Sequence, residues 1–461
     1  MATGTAQQNE PFLGILEWFR PGEHARVERA LDALDQLKIR HLRTGISWAD
    51  WMTPEGRPWY EWLLPTLASR VDVLPCFSYT PPSLNDHHAT NAPPRRLEDF
   101  GDFVCYCIEL FGEHFDWVEL WNEPDNHREW NAAFDSDYRH FSDMVGHAAK
   151  WSRTFGKKTL LGGLANADPN FLSMLHDYGS LEHFDAVGVH GFPFSFEFYW
   201  EGWPIRVERL RERLDWCGRP DVKIWITECG YSTWRHDELN QTRTFVDALA
   251  APADRVYWYA LDDLDPRLPT IDGFHSDERE YHFGLRTSDG RNKLLSRLMQ
   301  LHDRAAIPNT TDCLCNRSTV ESHFTLITGA FADRAASHVR DSHGRNLLFD
   351  YLSSNASLAR ALATSDPLRV ADVMDEHALR DAAAGASKIV HAALVADADR
   401  PERSYRVNTI GTLNVLAAAK EAGIAEVELL APESDDPIIA ASLAAAAELV
   451  AAYRMKLQKS K

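Results

Sequence analysis

The sequence predicts an α/β protein in two parts: a (β/α)8 TIM barrel over residues 1–305 and, beyond a linker at 306–321, a smaller, truncated Rossmann-like doubly wound domain over 322–461. Three observations predict it. Short β-rich apolar runs alternate with helical periods up to about residue 305. The residues able to carry chemistry fall at or just past the C-terminal ends of those runs, where a barrel builds its active site. After a polar stretch, a second and shorter alternation begins in a chain that turns Ala-rich from 355 onward, unlike the Trp-rich part before it.

The first alternation has eight strand candidates: FLGILEWF, IRHLRTGI, VDVLPCFSY, DWVELW, KTLLGGL, DAVGVHGF, VKIWITE and RVYWYAL. Between them lie amphipathic helices. In RRLEDFGDFVCYCIELFGEHF, the residues Leu97, Phe100, Val104, Ile108 and Phe111 mark one apolar face. NKLLSRLMQLHDRA reads as the last barrel helix, and AIPNTTDCLCNRSTVES as linker. HFTLITGA, NLLFDYL, LRVADV, SKIVHAAL and AEVELLA are the strand candidates of the second part.

A formal charge of −20 argues against nucleic acid or anionic membrane as a main partner, since both require basic patches. MATGTAQQNE has neither the basic start nor the apolar core of an export signal, and the expected location is cytoplasmic. IIAASLAAAAELVAAY is interrupted by Glu448 and is too short and Ala-rich to span a bilayer; it reads as a core helix. Seven cysteines, an odd number, fit reduced thiols. Cys105-Tyr-Cys107 and Cys313-Leu-Cys315 lack the paired spacing of a zinc site, and the histidines of DHH (86–88) and HSDEREYH (275–282) lack a fixed helical spacing, so no metal is expected.

Two strands end in glutamate, at ELWNEPD and IWITECGYST. The fourth and seventh strands of a barrel both point into its mouth, so Glu123 and Glu228 can meet there although far apart in sequence. Two carboxyl groups about 5–5.5 Å apart are what cleavage of a glycosidic bond with retained stereochemistry requires, one protonating the leaving oxygen and the other attacking the anomeric carbon. Either glutamate alone could cap a helix or pair with an arginine. Both together on those strands are poorly explained that way.

With these motifs, residues 1 to about 305 resemble the clan A retaining glycoside hydrolases, the β-xylosidase-like families with a W-N-E-P acid/base motif. The resemblance implies a carbohydrate substrate, Glu123 as general acid/base, Asn122 as donor to the sugar 2-hydroxyl and Glu228 as nucleophile. It also implies that Arg43 in LRTGISW pairs with the nucleophile, that His190 in VGVHGFP lies near the sugar and that Trp258 in VYWYA forms the floor beneath it. Sugar-stacking aromatics are plentiful in GFPFSFEFYWEGWP, Trp200 among them, and this loop is equally a hydrophobic lid. Trp130, Trp234 and His127 carry the same two readings. Glu17 in ILEWF is open to substrate contact or to pairing with an arginine.

Residues from about 320 resemble the extended short-chain dehydrogenases of the nucleotide-sugar epimerase and dehydratase group, most tellingly in YRVNTIGTLNVLAAAKEAG through Asn408, Gly411 and Asn414. Asp350 stands where that group has a ribose-binding acid. The phosphate turn, however, reads TGAFADRAASH and keeps only Gly329 of the three glycines, with Asp333 adding charge against a phosphate. The catalytic Tyr-x-x-x-Lys aligns with Ile439 and Leu443, and Tyr453 and Lys456 are one residue too close to replace it. The expectation is a redox-silent domain with no cofactor and a structural or regulatory role. That group often pairs through helices, so IIAASLAAAAELVAAY is also the candidate interface of a homodimer. The alternatives are a sugar-binding pseudoenzyme and a bifunctional protein whose second domain binds NAD.

Overall fold

A computed structural model of the chain describes residues 12–234, 236–265, 267, 277–315, 322–341 and 346–458. They group into two compact units, one of residues 12–232 and 244–291, the other of 233–243 and 292–458.

The first unit is a closed barrel of eight parallel strands in sequence order: β1 (Gly14–Leu16), β2 (His41–Ser47), β3 (Asp72–Ser78), β4 (Trp117–Leu120), β5 (Lys158–Leu164), β6 (Ala186–Gly191), β7 (Lys223–Cys229) and β8 (Arg255–Tyr259). β1 closes onto β8, with Gly14 opposite Tyr257 and Leu16 opposite Tyr259. These strands read as near-continuous apolar runs because both faces are covered, one by helices and one by the barrel interior. A cluster of Leu74, Trp117, Leu160, Ala186, Trp225 and Tyr257 fills part of that interior. Side chains alternate along a strand, so this cluster sets the inward parity of each strand that contributes to it. The helix Glu98–Phe111 buries Phe100, Val104, Ile108 and Phe111, the apolar face its sequence spacing gives.

The second unit is a parallel sheet of β9 (Phe324–Thr328), β10 (Asn346–Asp350), β11 (Leu368–Val370), β12 (Ala386–His391) and β13 (Glu426–Leu429), in the order β11-β10-β9-β12-β13. This is the order of the first five strands of a dinucleotide-binding fold. His391 is buried between the Thr328 and Thr412 hydroxyls at 2.7 and 3.1 Å, and burial lowers its pKa to about 3, so it is a neutral core residue.

Three expectations differ here. The stretch read as linker holds a helix, Ile307–Cys315, with Ile307, Thr311 and Leu314 buried. Leu294 and Leu298 of the expected last barrel helix cluster with Leu314, Ile327 and Leu348 of the second unit. The helix Pro437–Gln458 is not a core helix. Ile439, Leu443, Ala446 and Val450 face inward, while Ile438 and Met455 are 47% and 57% exposed. Alanine is the best helix former whether buried or not, which is why the run did not distinguish the two. By length and composition alone, residues 437–456 could also cross a membrane.

Candidate active site

The turn after β4 sets Glu123. Trp121 and Glu123 are both left-handed, at φ 71° and 42°, and so is Tyr79 after β3, at 69°. Each such non-glycine residue costs about 1–3 kcal/mol, and these three lie at the same end of adjacent strands. Hydrogen bonds hold the turn: Asn126 N donates to Glu123 O, and the Asn126 amide donates to Glu123 Oε2 at 2.8 Å. The Asp125 carboxylate accepts from the backbone N–H groups of Ala165 and Asn166, 2.8 Å each, which ties the turn to the loop after β5.

Glu228 is aimed by an irregularity in β7. Val189 pairs with Ile226, but His190 pairs with Glu228, so Thr227 is an extra residue on β7. Such a bulge re-aims side chains. The Thr227 hydroxyl meets His190 Nε2 at 3.0 Å, while Glu228 lies beside the same ring, its Oε2 3.6 Å from Nδ1. His190 Nδ1 is 2.8 Å from Glu123 Oε1. Because Nδ1 faces two carboxyl groups, it carries the proton, and Thr227 donates to Nε2. Gly163 makes room for this ring: a Cβ there would sit 1.9 Å from His190 Nε2.

Arg43 joins the two halves. Wholly buried, it donates Nε and Nη2 to Glu119 at 2.5 and 2.9 Å, Nη1 to Glu228 Oε1 at 2.6 Å, and Nη2 to Asn122 Oδ1 at 2.9 Å. One guanidinium thus serves two carboxylates and orients the amide. One ligand atom each from Glu123, His190 and Glu228 lies within 4.8 Å of the others. These three could hold a cation, but the guanidinium on Glu228 opposes one.

Burial raises the pKa of both glutamates. For Glu123 it is opposed by the Asn126 hydrogen bond and, more weakly, by Arg43; for Glu228 by His190 and Arg43, with the Glu123 charge adding to the rise. Only Glu228 is hydrogen-bonded to a cation. That ion pair favours the ionised form of Glu228 over that of Glu123. Burial lowers His190 to about 4, so its ring is neutral at pH 7. This arrangement sets two carboxyl groups with different partners side by side, Glu228 on a guanidinium and Glu123 on an amide.

The structure thus brings together Arg43, Asn122, Glu123, His190 and Glu228. It does not bring Trp258 or Trp130 to them. Tyr257 belongs to the barrel interior, so Trp258 takes the opposite parity and packs behind the strand on Phe245, 5.4 Å between ring centroids. Tyr259 is the inward residue, and its phenol is raised by burial and by the nearby charge of Glu228. Trp130 is fully buried against Trp121 and Phe141, its indole N–H on Asp135 at 3.2 Å. Glu17 resolves as a structural pair: Oε2 takes Arg26 at 2.5 Å, and Oε1 accepts from Leu261 N and Asp262 N at 2.7 and 3.2 Å, latching β1 to the segment after β8. Trp200 stacks edge-on against Trp203 and under Arg206, which donates to His190 O at 3.0 Å, so it braces the end of β6. In the same loop Phe192 joins Phe196, Tyr259 and Phe283 in one aromatic cluster, while Phe198 and Tyr199 are 72% and 99% exposed.

Glu119, Thr227, Tyr79, Glu129 and Tyr259 belong to this constellation and were not singled out in the sequence. Strand parity is the signal for two of them: Glu119 is two residues on from inward-facing Trp117, and Tyr259 two on from Tyr257.

In the second unit an arginine side chain crosses the strand ends. Arg334 donates to the carbonyl oxygens of Ala392, Leu394 and Leu430, beyond β12 and β13. Asp350 is turned onto backbone, accepting from Phe331 N at 3.0 Å and Leu352 N at 2.7 Å. Gly329 is retained for backbone reasons: its φ is +64°, and a Cβ would meet Ala393 N at 2.5 Å. Asn408 braces Val395 and Ser442, and the Tyr453 hydroxyl donates to Ile424 O.

Residues 348–429 match the model of the 3-beta hydroxysteroid dehydrogenase/isomerase family. Among solved structures, a family 39 glycoside hydrolase from the gut symbiont Bacteroides cellulosilyticus is similar at 16% identity and a TM-score of 0.47, over 63% of this chain and 63% of that one; the chain thus spans less than two thirds of its length. A GH5_18 protein from Bifidobacterium longum, solved with Manb1-4GlcNAc, is similar at 12% identity and a TM-score of 0.49, over 78% of this chain and 96% of that one. A mutated uronate dehydrogenase aligns at 18% identity and a TM-score of 0.25, over 29% of this chain and 55% of that one. No curated protein matches the chain.

Proposed function

We propose that the barrel is a retaining glycoside hydrolase acting on β-linked sugars by double displacement. The observation that carries this reading is the spacing of the pair: one oxygen of Glu123 and one of Glu228 lie within 4.8 Å. That spacing suits direct attack by a carboxylate, whereas an inverting pair stands about 6.5–9.5 Å apart to admit a water. Arg43 takes Glu228 Oε1, which leaves Oε2 as the attacking atom. In the first step Oε2 bonds to the anomeric carbon, the glycosidic C–O bond breaks, and Glu123 gives its proton to the leaving oxygen. The ester removes the Glu228 charge, and Glu123 is now ionised. In the second step Glu123 takes a proton from water as its oxygen attacks the anomeric carbon and the ester bond breaks, restoring both glutamates.

A panel of 2-deoxy-2-fluoro β-glycosyl fluorides tests this, because such sugars trap the ester. The expected result is a mass increase with one sugar, mapped to the peptide holding Glu228, which also identifies the glycone. No adduct with any sugar, together with sugar binding but no turnover of any glycoside by the parent, would turn the reading to a sugar-binding pseudoenzyme.

The second unit is assigned a structural or regulatory role without redox chemistry, a reading supported by Arg334 on the carbonyls at the strand ends and by Ile439 and Leu443 at the proton-relay positions. Titration with NAD followed by protein fluorescence should show no saturable change up to about 1 mM. Saturable binding would instead favour the bifunctional reading.

A further inference from the structure

Glu129 is an acidic group of this site that the two steps above leave unused. It is 3% exposed. Two consecutive turns carry the chain back beneath Glu123: Asn126 N bonds to Glu123 O, and Glu129 N bonds to Asn126 O, each at 2.9 Å. The Trp121 indole N–H then donates to Glu129 O at 3.0 Å and pins that backbone. The Glu129 carboxyl lies against the Asn122 amide and the Tyr79 hydroxyl, and its Oε2 is buried without a hydrogen-bond partner among the described residues. Glu123, Glu228 and the Cys76 thiol of β3 are near enough to interact with it electrostatically. Burial raises its pKa to about 8, so the carboxyl carries a proton at pH 7. A neutral carboxyl both accepts and donates, which an ionised one cannot.

Asn122 needs such a neighbour. Arg43 Nη2 holds its Oδ1, which fixes the end of the amide that faces the guanidinium and directs Nδ2 elsewhere. A single hydrogen bond leaves the amide free to pivot. We infer that Glu129 is a positioning residue of this site: its carbonyl oxygen holds one N–H of Asn122 and so aims the other at the sugar hydroxyl next to the anomeric carbon. The sugar contact rests on the glycosidase reading; the pairing of Glu129 with Asn122 does not.

The test compares Glu129→Ala, Glu129→Gln, Asn122→Ala and the Glu129→Ala/Asn122→Ala double variant in the full chain, on an aryl β-glycoside and by crystallography. Glu129→Ala should lower kcat/KM by about 10- to 100-fold, the scale of a displaced positioning group. Glu129→Gln keeps a neutral carbonyl in place and should recover to within about threefold of the parent. The double variant should be no worse than Asn122→Ala, because one residue acts through the other. Losses that multiply in the double variant, or a glutamine variant as impaired as the alanine one, would overturn the inference. The crystal structures should show the Asn122 amide rotated in Glu129→Ala and unmoved in Glu129→Gln. An unmoved amide in both overturns the pairing whatever the activity. A rotated amide in a protein whose parent cleaves no glycoside would leave the pairing standing and sink the glycosidase reading instead.

Discussion

Glu228→Ala should lower kcat on an activated aryl glycoside by roughly 10⁴- to 10⁶-fold, the scale on which enzymes lose a covalent nucleophile. Glu123→Ala should behave differently. With a good leaving group the first step needs little acid, so the loss falls on deglycosylation and is about 10²–10⁴-fold. Azide separates the two roles. In Glu228→Ala it fills the space of the lost carboxylate, attacks from that face and gives an inverted glycosyl azide. In Glu123→Ala it replaces the activated water, attacks the ester from the opposite face and gives a retained one. The same products from both variants would contradict the assignment. The pH profile follows from the charges. The proposed mechanism needs Glu228 ionised and Glu123 protonated, so activity should be lost as pH falls through the Glu228 value and as pH rises through the Glu123 value. Burial raises both, which moves the acid limb up from the ordinary carboxyl range and extends the alkaline limb toward neutrality. Glu123→Gln, measured on a substrate with a good leaving group, should lack the alkaline limb.

Arg43→Met should be costly in two ways at once. Arg43 is the only cation bonded to Glu119 or Glu228 among the described side chains, and Arg43 and Glu119 are wholly buried. Removing one partner of such a pair leaves buried charge uncompensated and costs about 3–5 kcal/mol. The barrel should therefore unfold at lower urea concentration, and Glu228, deprived of its cation, should hold a proton and lose nucleophilicity. Arg43→Lys keeps the charge but not the planar fork. It can reach one carboxylate, not both, and should recover part of the stability but little of kcat. Adding Glu119→Gln to Arg43→Met removes the other buried carboxylate and should restore stability without activity. If kcat in that double variant returned to the parent level, Arg43 would be needed only for folding.

The second unit shows how far a local pattern reaches. Its five strands were legible from short β-rich runs between turn residues, and the missing glycines of its phosphate turn were plain in TGAFADRAASH. That Arg334 would turn back onto the carbonyls of Ala392, Leu394 and Leu430 was not legible. An arginine in a turn is ordinarily solvated, and only the end of a distant strand supplies acceptors for it. The helix Ile307–Cys315 was hidden for a related reason. Its polar residues dominate the composition, while the burial of Ile307, Thr311 and Leu314 depends on what packs against it.

In the barrel, the eight strands, their parallel order and the two that lead into Glu123 and Glu228 could all be read from the chain, because hydrophobic period and element alternation are local properties. The sequence also indicated the set of Arg43, Asn122, His190 and the two glutamates, through their common position at strand ends. The directions in which the side chains point emerge only in the folded barrel. The extra residue Thr227 turns Glu228 beside His190, the left-handed Trp121 and Glu123 bend the fourth strand end into the mouth, and parity gives the inner wall to Tyr259 while sending Trp258 behind it. Tertiary structure likewise decided that one guanidinium is shared by Glu119 and Glu228, that Glu17 is a latch, and that Glu129 lies beneath the site. Register between strands and a few backbone angles fix those directions. They are set by pairing across the barrel, which no run of neighbouring residues encodes.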